Sequence, residues 1–556
     1  MTPMRRIYQR PVSAVIAAGW SVCLLAGWSD VQSNLYAIGL DGMSYLNLAR
    51  NALELGPGAL VNGYWSPLYP VVTALCIAAG RLPLESQAAA LHWANMVALV
   101  LALGGFTWLL LEILAPLRAR LAQAVEAAFG VLGFGLFMRG FQSGVWMGTR
   151  STTPDLLCAG LVLCAMALLA RFGRGAGSMA GAGALGLALA LAYLAKAAML
   201  PVSVAAVAVM VLFSGGSRKA VRRTGLCLAV LAAAVAPWVL ALSSAKGRFT
   251  FSDAGRLNFA WVVTQQSTPG NESMIPWEGK DFPNSPALIP GPVRMYEFDL
   301  PSQPVYALWY DPSWFAEGLK VDLDWRRLTA SLARHAGFYA REVLGRHWVL
   351  LLPLLAAAWG AWRAWRTAAD AGWWREWALL IYPLAALAMY AMVWTEVRYV
   401  AAFLVASWLV CAMICVRMAA ERGWGLAAAS ASAALGMFLC GQAMWMAPAR
   451  RPAVNADLAV AHALQALGVP PGSRIATVGS GGEHTYAYPG GLRITGQIEA
   501  LDEEMLPALG PAERRAVVES LAGRGFRALV VRGEPPPAWP GWRRLAASEF
   551  HALVFE

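Results

Sequence analysis

Two acidic residues of this chain lie beside long apolar runs, where a carboxylate is costly unless it faces water or an ionic partner. Asp41 lies in the segment LDGMSYL, directly after the first apolar run, and Asp155 follows Thr-Thr-Pro at the start of a later run. Either carboxylate can act as a general base toward a hydroxyl group. Either can also simply stabilise the start of a helix, because the macrodipole favours negative charge there.

The segment after Asp41 has the spacing of an amphipathic helix. One face carries Tyr45, Leu46, Ala49 and Leu53, and the opposite face carries Asn47, Arg50 and Asn51. Such a helix is expected to lie in the membrane interface. An aromatic, proline-rich tract follows it, and we expect Tyr45, Tyr64 and Trp65 to contact a substrate.

Two cationic residues stand at the ends of apolar runs. Lys196 lies between two such runs, and Arg398 lies in the sequence TEVRY. Fixed positive charge suits a phosphate group, and a guanidinium offers two parallel donors to it. We therefore expect both to bind phosphate, with Tyr399 beside them in contact with the substrate. The alternatives are that Lys196 only extends its amine to the interface and that Arg398 pairs with Glu396.

The segment after residue 243 mixes basic, aromatic and small polar residues. Lys246, Arg248 and Arg256 lie within it, and this mixture suits anionic head groups and sugar hydroxyls. A solvated loop is the alternative. Further along, the stretch WYDPSW at 309–314 either stacks on sugar rings or covers a small core of the loop itself.

The composition is that of a membrane protein. The chain has 556 residues, of which 58% are hydrophobic and 14% are charged, whereas soluble proteins carry about 25% charged residues. The apolar runs are of the length that crosses a bilayer. The net charge of +11 is concentrated in short connectors between these runs, which is a topology signal and argues against nucleic acid as a partner.

The basic connectors predict a helical bundle of about eleven spans with a cytoplasmic N-terminus and an external C-terminus. The predicted spans are 11–28, 86–114, 122–139, 154–170, 178–195, 198–213, 225–243, 347–362, 377–394, 398–416 and 424–446. The run 67–80 is short and begins with two prolines, so we expect a re-entrant or interfacial helix there. Two outer loops, 29–85 and 244–345, then belong to a transmembrane domain of residues 1–446.

Residues 447–556 are predicted to form a small external α/β domain. Helical patterns cover 454–467 and 511–524, and strand patterns cover 474–478, 492–498, 526–531 and 547–555. The glycines at 479–482 follow a predicted strand, but His484 replaces the third glycine of a dinucleotide fingerprint, so no cofactor is predicted. A divalent metal on Asp41 and Asp155 would have too few ligands to be supported.

The order of these features along residues 10–420 resembles the GT-C membrane glycosyltransferases. The similar branch is the glycosyltransferase 39-like group, which includes protein O-mannosyltransferases and lipid A aminoarabinose transferases. The resemblance rests on Asp41 in the first outer loop, on Thr153-Pro154-Asp155, on Lys196 followed by Pro201, and on Glu396-Val397-Arg398-Tyr399. The chain departs from that branch at two places. Gly42 stands where the branch often has a second acid, and Trp65-Ser66-Pro67 lacks the lysine that precedes proline in the branch.

The resemblance implies transfer of a sugar from a polyprenyl-phosphate carrier to a lipid, glycan or protein acceptor on the outer face of a bacterial-type inner membrane. Asp41 would be the general base of an inverting reaction, with Asp155 assisting it. Lys196 and Arg398 would bind the donor phosphate. Two alternatives remain: a lipid or polysaccharide transporter or flippase, which needs charges at the bilayer midplane, and a non-catalytic envelope assembly protein.

Overall fold

The structure is a computed structural model that describes residues 11–115, 122–142, 148–264, 282–298, 300–342, 374–446, 453–499, 505–537 and 539–555. The chain divides into two compact units. The first unit comprises Met1–Val31, Asn95–Leu240 and Trp325–Arg451, and the second comprises Gln32–Ala94, Ala241–Asp324 and Pro452–Glu556. The first unit thus contains most of the predicted spans, and the second contains most of the three predicted outer segments.

Helices dominate the described residues. In chain order they are α1 Pro11–Ser33, α2 Leu40–Leu55, α3 Leu68–Gly80, α4 Ala88–Leu114, α5 Gln123–Phe141, α6 Asp155–Gly173, α7 Met179–Ala195, α8 Met199–Ser214, α9 Arg218–Lys246, α10 Ala254–Asn258, α11 Ala307–Tyr310, α12 Pro312–Phe315, α13 Trp325–Ala340, α14 Trp374–Ala378, α15 Ile381–Met392, α16 Val397–Glu421, α17 Gly425–Trp445, α18 Ala456–Ala466 and α19 Pro511–Ala522.

The chain is a multi-pass membrane protein. Among the described residues, seven helices are long and apolar enough to cross a bilayer, namely α1, α4, α5, α6, α9, α16 and α17. The predicted spans 178–195 and 198–213 form α7 and α8, which are shorter apolar helices. The predicted span 347–362 lies outside the described residues, so the total of eleven spans stays a prediction.

The predicted span 377–394 is not one continuous helix. Instead, α14 ends at Ala378 and α15 begins at Ile381. The cause is Pro383, which has no N–H to donate to the carbonyl of Leu379 and therefore fits only the first turn of a helix.

Glycines allow α4 and α6 of the first unit to approach closely. A Cβ atom added to Gly105 would lie 2.7 Å from the carbonyl oxygen of Gly160, and one added to Gly160 would lie 2.9 Å from the nitrogen of Ala102. Close backbone contact at small residues is a common way of packing membrane helices. This contact fixes α6, which begins with Asp155.

The second unit contains a seven-stranded sheet in the order β1-β2-β4-β3-β5-β7-β6. Its strands are β1 Ala287–Ile289, β2 Met295–Glu297, β3 Arg474–Val478, β4 Arg493–Ile498, β5 Phe526–Arg532, β6 Arg543–Arg544 and β7 Phe550–Val554. Strand β3 runs parallel to β4 and β5, and the other pairings are antiparallel. The small C-terminal α/β domain predicted from the sequence is thereby confirmed.

Two strands of this sheet come from the long loop rather than from the C-terminal tail. Strand β2 pairs with β4, so that Met295 faces Ile498, and β1 pairs with β2. The boundary predicted at residue 447 therefore does not separate the sheet from the 244–345 loop. Strands of three residues are too short to show an alternating pattern, and their pairing with a distant strand leaves no local signal.

Helix α2 forms as predicted, but two of the three residues on its polar face are not solvated. Asn47 and Asn51 are buried. Asn47 accepts a hydrogen bond from the backbone N–H of Val305 at 3.3 Å, and Asn51 donates to the hydroxyl of Tyr310 at 3.1 Å. The long loop therefore covers this part of the polar face, which the helical spacing alone did not indicate.

Candidate active site

Asp41 lies in the first turn of α2 and is partly buried. Its Oδ1 accepts a hydrogen bond from the indole Nε1–H of Trp309 at 3.3 Å. The backbone of Trp309 is held in turn, because its carbonyl accepts from the hydroxyl of Ser44 at 2.9 Å and from the indole of Trp65 at 3.0 Å. The carboxylate is therefore oriented by a short helix, α11, that is itself tied to α2.

An aromatic cluster surrounds the Asp41 contact. The rings of Tyr64, Trp65, Trp261 and Trp309 lie with centroids 4.6–6.1 Å apart, and Trp261 stacks on Trp309 at an interplanar angle of 26°. Tyr64 and Trp309 are partly exposed, whereas Trp65 and Trp261 are buried. The partly exposed rings offer flat faces to a ligand, and the buried rings hold them in place.

The predicted substrate contacts in this region divide by burial. Tyr45 is buried and packs edge-on against Trp65 and Tyr69, so the structure gives it a packing role. Trp65 is buried as well, and Tyr64 alone of the three predicted aromatics is partly exposed. Trp261 was missed by the sequence reasoning, and no local pattern marked it.

Asn62 fixes the turn that carries Tyr64 and Trp65. Its side-chain oxygen accepts from the backbone N–H groups of both aromatic residues at 2.9 Å. Its amide donates to the carbonyl of Tyr310 at 2.7 Å. Asparagine is suited to such a turn because its side chain bonds to the backbone two residues further on. The sequence NGYW was a signal for this turn that the sequence reasoning did not use.

The predicted basic ligands of the long loop are engaged in an ion-pair network. Arg248 donates to both oxygens of Asp253 at 2.8 Å and to Glu317 at 2.9 Å. Lys246 lies 3.3 Å from Glu317 and 3.8 Å from Asp253, and Arg256 lies 3.5 Å from Asp253. These charges stabilise the loop, and substrate binding by the three cations stays a prediction.

The titration of Glu317 reflects this network. Burial alone would raise the pKa of the Glu317 carboxyl, but the hydrogen bond from Arg248 and the charge of Lys246 outweigh burial and lower that pKa below its usual value. Conversely, the hydrogen bond to Glu317 raises the pKa of the Arg248 guanidinium. Glu317 and Arg248 therefore each stabilise the charged form of the other.

Asp311, which also belongs to the second unit, has a buried carboxyl group. Burial raises the pKa of its carboxyl above the usual value, against the opposing charge of Lys246 and hydrogen bonds from Ser313 and the backbone of Gly63. The carboxylate accepts from the backbone N–H of Ser313 at 3.1 Å. The sequence reasoning noted Asp311 only as part of an aromatic stretch, and its local bonds mark it as a structural residue of the α11–α12 turn.

In the first unit, Asp155, Lys196 and Arg398 lie together as their positions at the ends of apolar runs suggested. Lys196 Nζ donates to Asp155 Oδ1 at 2.5 Å, and an Arg398 amine lies 3.8 Å from Asp155 Oδ2. The hydroxyl of Thr153 donates to the same Oδ2 at 2.7 Å. Both oxygens of the carboxylate are thus occupied by donors.

Tyr399 covers the ammonium group of this cluster. Lys196 Nζ lies 3.3 Å from the centroid of the Tyr399 ring, and Tyr390 stacks on Tyr399 with centroids 5.6 Å apart. A cation over an aromatic face is stabilised by the ring quadrupole. The predicted substrate residue Tyr399 therefore has a clear local role in holding Lys196.

The alternative partner of Arg398 is present as well. Its Nε donates to Glu396 at 2.6 Å, which is closer than its approach to Asp155. The side chains of Lys196 and Arg398 are 20% and 19% exposed, whereas that of Asp155 is 8% exposed. The two cations are thus more exposed than the acid that they contact.

Within the described ranges, no group of three His, Cys, Asp or Glu side chains is placed to hold a metal ion. Asp41 belongs to the second unit and Asp155 to the first.

The fold is that of the GT-C membrane glycosyltransferases. ArnT from Cupriavidus metallidurans in complex with undecaprenyl phosphate superposes with a TM-score of 0.53 at 14% identity, over 97% of this chain and 98% of ArnT. The oligosaccharyltransferase AglB from Archaeoglobus fulgidus, in complex with an inhibitory peptide and a dolichol-phosphate, gives a TM-score of 0.51 at 11% identity, over 92% of this chain and 69% of AglB. No protein-family model and no curated protein matches the sequence.

Proposed function

We propose that the chain is an integral membrane glycosyltransferase that moves a sugar from a polyprenyl-phosphate donor to a lipid, glycan or protein acceptor. The proposal is supported by the shared fold with ArnT and AglB, whose structures contain undecaprenyl phosphate and a dolichol-phosphate. The observation that carries it is the Asp41 carboxylate, held by the Trp309 indole beside partly exposed aromatic rings.

Asp41 is the general base in this mechanism. It takes the proton of the acceptor hydroxyl while the hydroxyl oxygen bonds to the anomeric carbon. The bond from that carbon to the phosphate oxygen breaks, the electron pair leaves on the phosphate, and the anomeric configuration inverts. The Trp309 N–H restricts the orientation of the carboxylate, which supports this role because a general base must be held within hydrogen-bond reach of the proton that it takes. The faces of Tyr64 and Trp309 provide a flat wall for a sugar ring.

Lys196 and Arg398 stabilise the departing polyprenyl phosphate. A phosphate leaving group needs fixed positive charge, and donors held in place before the reaction cost little reorganisation. Asp155 is better suited to positioning than to proton transfer, because Lys196 and Thr153 occupy its two oxygens. We therefore assign to Asp155 the task of holding the two cations.

The reaction takes place on the outer side of a bacterial-type inner membrane, with the N-terminus in the cytoplasm. This orientation rests on the basic connectors between the apolar runs, which favour the cytoplasmic side. The second unit, with Asp41, is then external, where a lipid-linked donor and a water-soluble acceptor can meet.

The test compares Asp41→Asn with Asp322→Asn, which changes an exposed acid of the same unit. Purified protein in nanodiscs is given a panel of radiolabelled undecaprenyl-phosphate sugars and cell-envelope acceptors, and sugar transfer is measured. Loss of a general base lowers turnover by about 10²- to 10⁴-fold. We expect this loss in Asp41→Asn, with undecaprenyl-phosphate affinity and the Asp322→Asn turnover unchanged.

The alternatives give different results in the same preparation. A flippase would move the labelled lipid between leaflets of a liposome without consuming the donor. An assembly protein would bind its partner equally well with Asn at position 41. Transfer by Asp41→Asn at the wild-type rate would refute Asp41 as the base, and absence of transfer by the wild type across the panel would refute the enzymatic proposal.

A further inference from the structure

Two adjacent glycines of the external sheet lie against the elements that carry Asp41 and Trp309. Gly481 and Gly482 follow strand β3 and are buried. A Cβ atom added to Gly482 would lie 2.2 Å from Cδ1 of Leu40, the residue that immediately precedes Asp41. All of these residues belong to the second unit.

The neighbouring glycine makes an equally close contact with the support of Trp309. A Cβ atom added to Gly481 would lie 2.6 Å from the ring of Tyr306. Tyr306 immediately precedes α11 as its N-cap residue, and its carbonyl accepts a hydrogen bond from the backbone N–H of Tyr310. Tyr306, whose ring contacts Gly481, therefore lies three residues before Trp309 in the same hydrogen-bonded turn.

We propose that the loop Gly479–Gly482 is a positioning element for the base: it sets the location of Asp41 through Leu40 and that of Trp309 through Tyr306. This inference rests on the proposed function, because it assigns the loop a role in the step that Asp41 performs. It also gives the sheet of the second unit a role in the reaction, namely the positioning of Asp41 and Trp309.

The glycines are required at these two positions for space and not for backbone conformation. In this loop only Gly479 has a left-handed φ, of 71°. Gly481 and Gly482 adopt conformations that alanine can share, so an added methyl group tests the contact alone. Cγ of Leu40 would also be only 3.2 Å from the new atom at position 482, so rotation of one methyl group does not clear the space.

The loop is fixed firmly enough to transmit a displacement. The N–H of Gly479 donates to the carbonyl of Ile498 at 3.0 Å, and Thr477 donates its hydroxyl to the carbonyl of Gly479 at 3.2 Å. On the other side, the hydroxyl of Tyr306 donates to Gln497 at 3.0 Å. Strands β3 and β4 therefore hold the loop and Tyr306, and the displacement caused by a new side chain at position 482 falls on Leu40 and the start of α2.

The experiment uses Gly482→Ala in the full-length protein in nanodiscs. A misplacement of about 1 Å costs up to about 10²-fold in rate, so we expect kcat to fall by about 10- to 100-fold while the donor KM changes little. In the double variant Leu40→Ala/Gly482→Ala the new methyl group occupies the space that the Leu40 side chain leaves, so the contact is restored without a clash and most of the lost kcat should be recovered. Gly58→Ala is the matched control, because a Cβ atom there meets nothing within 4 Å.

A second variant keeps the test decisive if Gly482→Ala does not fold. Leu40→Ala removes the same contact from the helix side, and Leu53→Ala, at an exposed position of α2, is its control. We expect a lower kcat in the first and an unchanged kcat in the second, with thermal stability of both measured alongside.

The outcomes separate this inference from the proposed function. No sugar transfer by the wild type would remove both. Transfer by the wild type together with wild-type kcat in Gly482→Ala and in Leu40→Ala would remove the positioning role alone. A double variant no faster than Gly482→Ala would show that the effect does not pass through Leu40, and would equally overturn the inference.

Discussion

Replacement of Asp155 by Asn tests whether this acid positions Lys196 and Arg398. The substitution keeps the shape of the side chain but removes the charge that faces Lys196 at 2.5 Å and Arg398 at 3.8 Å. Breaking a buried ion pair from one side costs about 3–5 kcal/mol, because the remaining charge is left without compensation. The ammonium of Lys196 keeps some contact with solvent, so we expect the lower end of that range.

The assay is thermal unfolding of the purified protein, combined with a double-mutant cycle. Asp155→Asn should lower the unfolding midpoint, and Asp155→Asn/Lys196→Met should restore much of it, because the second change removes the stranded ammonium. Sugar transfer should remain low in the double variant, since the leaving phosphate then lacks the charge of Lys196. The double variant should therefore recover stability without recovering activity.

Three results would refute this reasoning. Wild-type stability in Asp155→Asn would show that the ion pair does not matter. A double variant no more stable than Asp155→Asn would show that Lys196 is not the stranded charge. Full activity in the stable double variant would remove Lys196 from phosphate binding. Asp322→Asn, at an exposed acid, serves as the control for loss of a carboxylate in general.

Three further predictions concern the second unit. Trp309→Phe, which keeps the ring but removes the N–H that bonds to Asp41, should lower kcat by about tenfold, as expected for a charge-assisted hydrogen bond of about 1.5 kcal/mol, whereas Trp325→Phe at an exposed position should not; equal rates would exclude the hydrogen bond from catalysis. Asp253→Asn removes the negative charge that Lys246, Arg248 and Arg256 share, and it should lower the free energy of unfolding by about 3 kcal/mol. An unchanged midpoint of thermal unfolding would mean that the ion-pair network does not stabilise the protein. Burial, aided by the charge of Arg532, lowers the pKa of His484 to about 3, so protonation favours the unfolded state, in which the pKa is about 6.5. Stability is then complete above about pH 6.5 and falls by about 2 kcal/mol by pH 5, and His484→Gln should lack this fall; the same pH profile in both proteins would contradict it.

The positions of the charged residues at the ends of apolar runs made one cluster predictable. Asp155, Lys196 and Arg398 each stand at such an end, and the number of spans predicted between them would place these ends on one side of the membrane. Their pairing partners Thr153 and Glu396 are close in sequence. The strands β3, β4, β5 and β7 were predictable for a similar reason, because each is long enough to show its pattern.

The loop between residues 244 and 345 was not predictable in the same way. Its basic residues were recognised, but Asp253 and Glu317, which pair with them, stand in segments without periodicity. The burial of Trp261 and the pairing of β2 with β4 depend on contacts between residues far apart in the chain. The sequence around each residue contains no signal for such a contact, because the two residues come together only when the chain folds.

Helix α2 allows the periodic prediction and the structure to be tested against each other. Periodicity alone places Asn47 and Arg50 together on the polar face of the helix. In the structure Asn47 is 5% exposed and accepts from the N–H of Val305, whereas Arg50 pairs with Glu54 at the surface. Loss of a buried acceptor leaves its donor unsatisfied and costs about 1–3 kcal/mol, while loss of an exposed i,i+4 pair costs about 0.2–0.5 kcal/mol. We therefore expect Asn47→Ala to lower the thermal unfolding midpoint clearly more than Arg50→Ala. Equal and small effects would mean that this face is solvated, and that the loop carrying Trp309 does not pack on the helix that carries Asp41.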